Sequence, residues 1–172
     1  MVGLVGMGGA AQASTTSADT STAPRACSVD LSTQKAICVP LGEDLNQAVL
    51  DQTHKRVVVP SGANGTKLSL AAVPAGTAAT YIVAQFFSYS NYGGSMILQV
   101  TNAADCNGSV TQLTNFAAYG ADNDTDSVKS FGACHTKIWD NSNITGASFG
   151  YFVNASYVGD AMVNRASSAQ FK

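Results

Sequence analysis

Phe87-x4-Tyr92-x-Gly94 recurs about fifty residues later as Trp139-x4-Ile144-x-Gly146. In each copy an aromatic at the end of one strand can fold over a tight hairpin whose Gly takes positive φ. An alternating strand follows, then a Ser-containing turn. That turn is Val128-Lys129-Ser130-Phe131 in the first copy and Ala166-Ser167-Ser168-Ala169-Gln170-Phe171 in the second. A Ser from this later loop would tie the hairpin down. Two such units make two Greek keys around one shared core. The runs Tyr81 to Phe87, Met96 to Val100, Lys137 to Trp139 and Ser148 to Val153 are strand-like, separated by turn clusters such as Asn91-Tyr92-Gly93-Gly94 and Asp140-Asn141-Ser142-Asn143. No long helical periodicity interrupts them, so the expected class is all-β.

The stretch from Cys27 to about Pro74 is mixed. Ser28 to Val39 reads as a disulfide-closed hairpin turning at Ser32-Thr33-Gln34-Lys35. Asp44 can cap a short helix, Leu45 to Gln52, with Leu45, Val49 and Leu50 on one face. Arg56 to Val59 is a β-branched run stopped by Pro60, hence a strand. Pro74-Ala75-Gly76 is the joint. Ahead of all this, Met1 to Ala13 carries no charge and ends in Ala11-Gln12-Ala13, a pattern that signal peptidase cleaves. The first cation is Arg25, so the usual basic start is missing, from an upstream start codon or from trimming. Ser14 to Ala26 is polar and low in complexity, which predicts a disordered leader.

Four cysteines fit an oxidising compartment. Of three pairings, Cys27–Cys38 with Cys106–Cys134 is expected because each bridge closes a loop within one segment. Loops of these lengths stabilise a fold by roughly 3 kcal/mol each in the chain-entropy model. Zinc is disfavoured, because no CxxC spacing exists and the two His are far apart.

Charge narrows the partners. Nine Lys and Arg against eleven Asp and Glu leave a net charge of −2, and charged residues make up 12% of the 172-residue chain. That is about half the ~25% of an ordinary soluble domain, so Ser, Thr, Asn and Gly must wet the surface. The longest basic run, His54-Lys55-Arg56, is too short to track phosphates, so no nucleic acid is expected. No apolar segment of about 20 residues exists, so no membrane is expected as a partner after processing.

Catalytic patterns fail on inspection. Gly146-Ala147-Ser148-Phe149-Gly150 matches a nucleophile elbow, yet Phe149, Tyr151 and Val153 alternate as a strand and no His follows Ser148. His135 adjoins Cys134, which is expected to be oxidised and so supplies no thiolate. Glu43 is the single Glu, and no carboxylate pair stands out for glycosidase chemistry. Five N-x-S/T sequons occur in a chain rich in those residues. Phe86, Phe87, Tyr89, Tyr92 and Tyr151 could line an exposed patch, but alternation assigns about half of them to the core. No enzyme activity is expected.

The two echoed units resemble the βγ-crystallin motif, aromatic-x4-aromatic-x-Gly with a downstream Ser. More narrowly, Tyr81 to Lys172 looks like the crystallin-type domain of secreted actinomycete proteins, a group that includes metalloproteinase inhibitors and killer-toxin-like proteins. Gly146-Ala147-Ser148-Phe149-Gly150-Tyr151 and Asn164-Arg165-Ala166-Ser167-Ser168 strengthen the match, while Ile144 replaces an aromatic in the second unit. The fold expected is a two-Greek-key βγ-crystallin-like sandwich preceded by a small disulfide-stapled α/β piece. The domains would run as a signal-peptide remnant over 1–13, the leader over 14–26, an N-terminal subdomain over 27–76 and the crystallin-like domain over 77–172.

In βγ-crystallins Ca²⁺ is bound by N/D-N/D-x-x-S/T-S, one copy from each Greek key. The register that keeps the apolar spacing reads Thr125-Asp126-Ser127-Val128-Lys129-Ser130 and Val163-Asn164-Arg165-Ala166-Ser167-Ser168, both damaged. A second register starts at Asn123-Asp124 but misplaces the apolar residue. Asp122 to Asp126 also has D-x-D-x-D spacing, though not an EF-hand, since Ser127 stands where Gly is needed. At most one site is expected, from Asp124 or Asp126 with Ser167. No cofactor is required, and Ca²⁺ is the one candidate ion.

The resemblance implies a secreted peptidase inhibitor, directed at an extracellular metalloproteinase. A rigid disulfide-anchored loop (Asp105, Asn107, Gly108, Ser109, Val110) would enter the protease cleft at low ordering cost. The alternatives are a Ca²⁺-stabilised extracellular structural protein and a secreted antimicrobial of the killer-toxin kind.

Overall fold

The computed structural model describes residues 24–60 and 78–172. The expected signal-peptide remnant and the joint at Pro74-Ala75-Gly76 lie outside them. In chain order the elements are β1 (Arg25–Asp30), β2 (Lys35–Pro40), α1 (Leu45–Thr53), β3 (Lys55–Val58), β4 (Ala78–Phe87), β5 (Met96–Asn102), β6 (Thr111–Leu113), β7 (Ser127–Ser130), β8 (Thr136–Asn141), β9 (Thr145–Phe152), β10 (Asn154–Ala155) and β11 (Ser168–Phe171). Short 3₁₀ turns cover Ser90–Tyr92, Ala117–Tyr119 and Ser142–Ile144.

The strands from β4 onward form two four-strand units, β4 to β7 and β8 to β11. One sheet has the order β10-β7-β4-β5 and the other β6-β11-β8-β9. Each sheet therefore takes the first, second and fourth strands of its own unit and borrows the third from the other. This exchange makes the pair a single all-β sandwich of two Greek keys. The core between the sheets follows from alternation. Val83, Phe86, Leu98, Val100, Val128, Ile138, Ala169 and Phe171 point inward and are buried. Phe86 meets Phe116 and Phe171 edge-on, with ring centroids 5.1 and 6.4 Å apart.

Residues 25–58 extend the first sheet. β1 lies parallel beside β5 and antiparallel to β2, and β3 runs parallel to the first half of β4. Cys27 faces Cys38 across the β1–β2 hairpin and is bonded to it. β1 starts at Arg25, two residues inside the stretch read as leader, and Ala26 is buried. Asp44 caps α1 by accepting from the Gln47 amide at 3.0 Å. Leu45 and Val49 are the buried residues of its apolar face, whereas Leu50 is only half-buried.

Several sequence expectations need correcting. Val128 to Ser130 and Ser168 to Phe171 are strands, not turns. Asp140 belongs to β8 rather than to a turn. Of the aromatic patch, Phe86 is fully buried and Tyr89 is the one ring largely exposed.

Candidate functional site

The hairpin echo appears as two matching corners. Asn91 and Tyr92 have φ of 57° and 59°, and Asn143 and Ile144 have 59° and 60°. Each corner is pinned by one buried serine hydroxyl. Ser127 accepts from the Tyr92 amide at 3.0 Å and donates to the Tyr89 carbonyl at 2.6 Å. Ser168 accepts from the Ile144 amide at 3.1 Å and donates to the Asn141 carbonyl at 2.6 Å. Ser127 is thus the counterpart of Ser168. Ser130 instead shares a buried hydrogen bond with Thr136 at 2.7 Å.

This pairing settles the register of the acidic loop. Counting back from the two pinning serines, Asp122-Asn123-Asp124-Thr125-Asp126-Ser127 matches Val163-Asn164-Arg165-Ala166-Ser167-Ser168. The register beginning at Thr125 is displaced by three residues, because apolar spacing cannot tell Ser127 from Ser130.

The two loops face each other with reciprocal backbone bonds. The Asn123 amide donates to the Ala166 carbonyl at 3.1 Å, and the Asn164 amide donates to the Thr125 carbonyl at 3.2 Å. Both Asn residues sit at positive φ, 55° and 52°. Ser167, next to Ala166, is buried, so the second loop lies against the acidic one.

The first loop is rich in oxygen and short of partners. Asp126 Oδ1 and Thr125 Oγ1 are buried without a hydrogen bond among the described residues. Burial and then the neighbouring Asp126 charge push the Asp124 carboxyl above its ordinary value. Hard, mutually repelling oxygens of this kind suit a divalent cation. The second loop does not fit one equally. Val163 has no side-chain oxygen, and Arg165 brings a cation that pairs with Asp140 at 2.7 Å. Among the described residues no three carboxylates converge; the one Asp/Cys cluster, Asp105 with Cys106 and Cys134, has both sulfurs in a disulfide.

The second candidate is the β5–β6 loop. Cys106 is bonded to Cys134. The Asp105 carboxylate accepts from the Cys106 amide at 2.8 Å and the Ala133 amide at 3.2 Å. Asn107 Oδ1 accepts from the Ser109 amide at 3.1 Å. Asn107 to Val110 are exposed, and Val110 shows 51% of its surface. The loop is held at its base and open at its tip.

Sequence reading did not find a cavity of about 260 Å³ between α1 and the first sheet. Ser28, Thr80, Thr101 and Val49 line it, and the Asp30–Lys55 ion pair closes one side at 2.8 Å. Its lining comes from residues far apart in the chain, which no local motif could bring together. His54 ends α1 in the left-handed region and His135 is exposed, so neither joins these sites.

No family model matches the sequence, and no curated protein matches it. Among solved structures, a βγ-crystallin domain from Clostridium beijerinckii is similar at 17% identity, covering 52% of this chain and 95% of that one, with a TM-score of 0.39. The N-terminal domain of Protein S is similar at 22% identity over 52% of this chain and 94% of its own, with a TM-score of 0.41. A βγ-crystallin domain from Flavobacterium johnsoniae shows 15% identity, 52% and 93% coverage and a TM-score of 0.40. The Greek-key description rests on strand order and the two serine-pinned corners.

Proposed function

We propose that the protein is a secreted binding protein whose crystallin-like part is stabilised by one Ca²⁺ at the Asp122–Ser127 loop. The observation that carries this reading is the buried Asp126 carboxylate oxygen, without a hydrogen-bond partner among the described residues, beside Asp124 in a loop that pairs reciprocally with the second one. Asp124 and Asp126 would hold the ion from one Greek key and Ser167 from the other. A bound cation would neutralise the two carboxylates and tie together loops from different units. Two disulfides, and no helix among the described residues long and apolar enough to cross a membrane, are compatible with an extracellular setting.

The test is thermal unfolding in chelator and in millimolar Ca²⁺. Mass action gives about 2.7 kcal/mol at a hundredfold excess over Kd, so Tm should rise with Ca²⁺ and the rise should shrink in Asp126→Asn. Asp124→Asn should raise Tm in chelator, where the ionised carboxyl costs stability, and should weaken the response to Ca²⁺. Superimposable melts in both buffers would end this reading.

A second reading, peptidase inhibition, is favoured by the loop from Asp105 to Val110, anchored at its base and exposed at its tip. Titration against a thermolysin-like metalloproteinase should then abolish activity near one equivalent. Undiminished activity at large molar excess would remove it.

A further inference from the structure

Asn107 stands directly before Gly108 at the tip of the β5–β6 loop, and both residues are exposed. Among the described residues no other asparagine precedes a glycine. An asparagine amide is chemically labile, because the backbone nitrogen that follows it can attack the side-chain carbonyl. Glycine, having no Cβ, obstructs that approach least. Here the approach is open. A Cβ at Gly108 would have no heavy atom within 4 Å, and the Gly108 amide makes no hydrogen bond among the described residues.

The loop also orders the reacting group. The Ser109 amide donates to Asn107 Oδ1 at 3.1 Å. This bond turns the side chain back along the backbone and holds Cγ near the Gly108 nitrogen, which lies between the two bonded groups in the chain. It also sets a backbone N–H where negative charge gathers as the nitrogen adds to the carbonyl, the arrangement that stabilises tetrahedral intermediates in acyl transfer. The base beneath is fixed, since Cys106 is bonded to Cys134 and its amide donates to Asp105 at 2.8 Å. The other asparagines lack this combination. Asn123, Asn143 and Asn164 precede Asp, Ile and Arg, and Asn102 and Asn141 belong to strands.

We propose that Asn107 is a self-modifying site, at which the folded loop readies the side-chain amide for conversion to a carboxylate. The Gly108 nitrogen loses its proton to solvent and bonds to Asn107 Cγ. The side-chain nitrogen takes a proton from solvent and leaves as ammonia, closing a five-membered imide. Water then adds to one of the two imide carbonyls and breaks that carbon's bond to the Gly108 nitrogen. Cleavage at Cγ gives aspartate, and cleavage at the main-chain carbonyl gives isoaspartate, which has one more carbon in the backbone. One water enters, one ammonia departs, and nothing is oxidised or reduced. Either product places a negative charge on a tip, residues 107–110, that has none. The face that the loop presents therefore changes with the age of the molecule, whatever the loop binds.

The test is incubation of the full, disulfide-bonded chain at body temperature and mildly alkaline pH, followed by peptide mapping with mass spectrometry. A synthetic peptide spanning 103–111, its cysteine blocked, is incubated alongside. The segment holding Asn107 should gain one mass unit at a rate at least equal to that of the peptide. Mapping separates this gain from any at Asn64-Gly65, the same dipeptide outside the described residues. Asn107→Gln should abolish the gain. Ser109→Pro, which keeps Asn-Gly but removes the donor to Oδ1, should slow it at least threefold. A folded-chain rate below that of the peptide would overturn the proposal, since the loop would then protect the amide; this comparison uses the unaltered protein and depends on neither variant folding. A Ser109→Pro chain that reacts as fast as the unaltered one would overturn it too.

Discussion

Ser127 and Ser168 each serve as donor and acceptor at a corner whose backbone has turned away from the sheet ladder. Removing either hydroxyl strands an amide and a carbonyl together, and an unmet buried group costs about 1–3 kcal/mol. Ser127→Ala should lower stability by about 2 kcal/mol, or roughly 4–8 °C in Tm for a chain of this size. Ser168→Ala should match it, while Ser130→Ala, which leaves both corners intact, should not disturb the Tyr92 or Ile144 amides in exchange experiments. The corners also differ. Tyr92 stacks edge-on against Phe87 at 5.9 Å with Lys129 lying 4.4 Å over its ring, whereas the second corner sets a β-branched residue, Ile144, at a φ of 60°. Asp30 acts in the opposite sense to Asp124. Burial pushes its carboxyl up, but bonds from Lys55 and Ser32 together outweigh this and hold it below the ordinary value. Its contribution is therefore present above the unfolded value near pH 4 and lost as pH falls through the folded one. Asp30→Asn should flatten the acid side of the stability curve below about pH 4, as read by urea midpoints.

At the scale of elements, what could be read in the sequence depended on side-chain size. β4 and β5 stand out as runs of Ile, Val, Phe and Leu, and α1 is marked by Asp44 and by the spacing of Leu45 and Val49. β7 and β11 do not stand out. Ser127, Ser130 and Ser168 are buried there as polar groups with specific partners, and runs such as Ser-Val-Lys-Ser resemble turns. β6 and β10 are three and two residues long, too short for any period to show. The acidic loop was visible by composition, but its register was not, because that depends on which serine reaches the corner. For the β5–β6 loop the cysteines were legible, whereas the role of Asp105 was not. Asp105→Ala should release its base: exchange at the Cys106 and Ala133 amides should accelerate, with Tm falling by no more than about 1–2 kcal/mol equivalent.

Across the whole molecule, partners lie far apart along the chain. The two Greek keys complete each other by trading third strands, so neither sheet is whole until the second unit is present. β1 is in a similar position: Ser28 sits beside Gln99, 71 residues further on. This spacing sets a schedule. At 5–20 residues per second, a growing chain completes the first hairpin about 3–12 s before the strand it must join has been made. During that interval the hairpin has only α1 and its own Cys27–Cys38 bridge for support. Neither sheet can therefore be completed until strands of the second Greek key have been made.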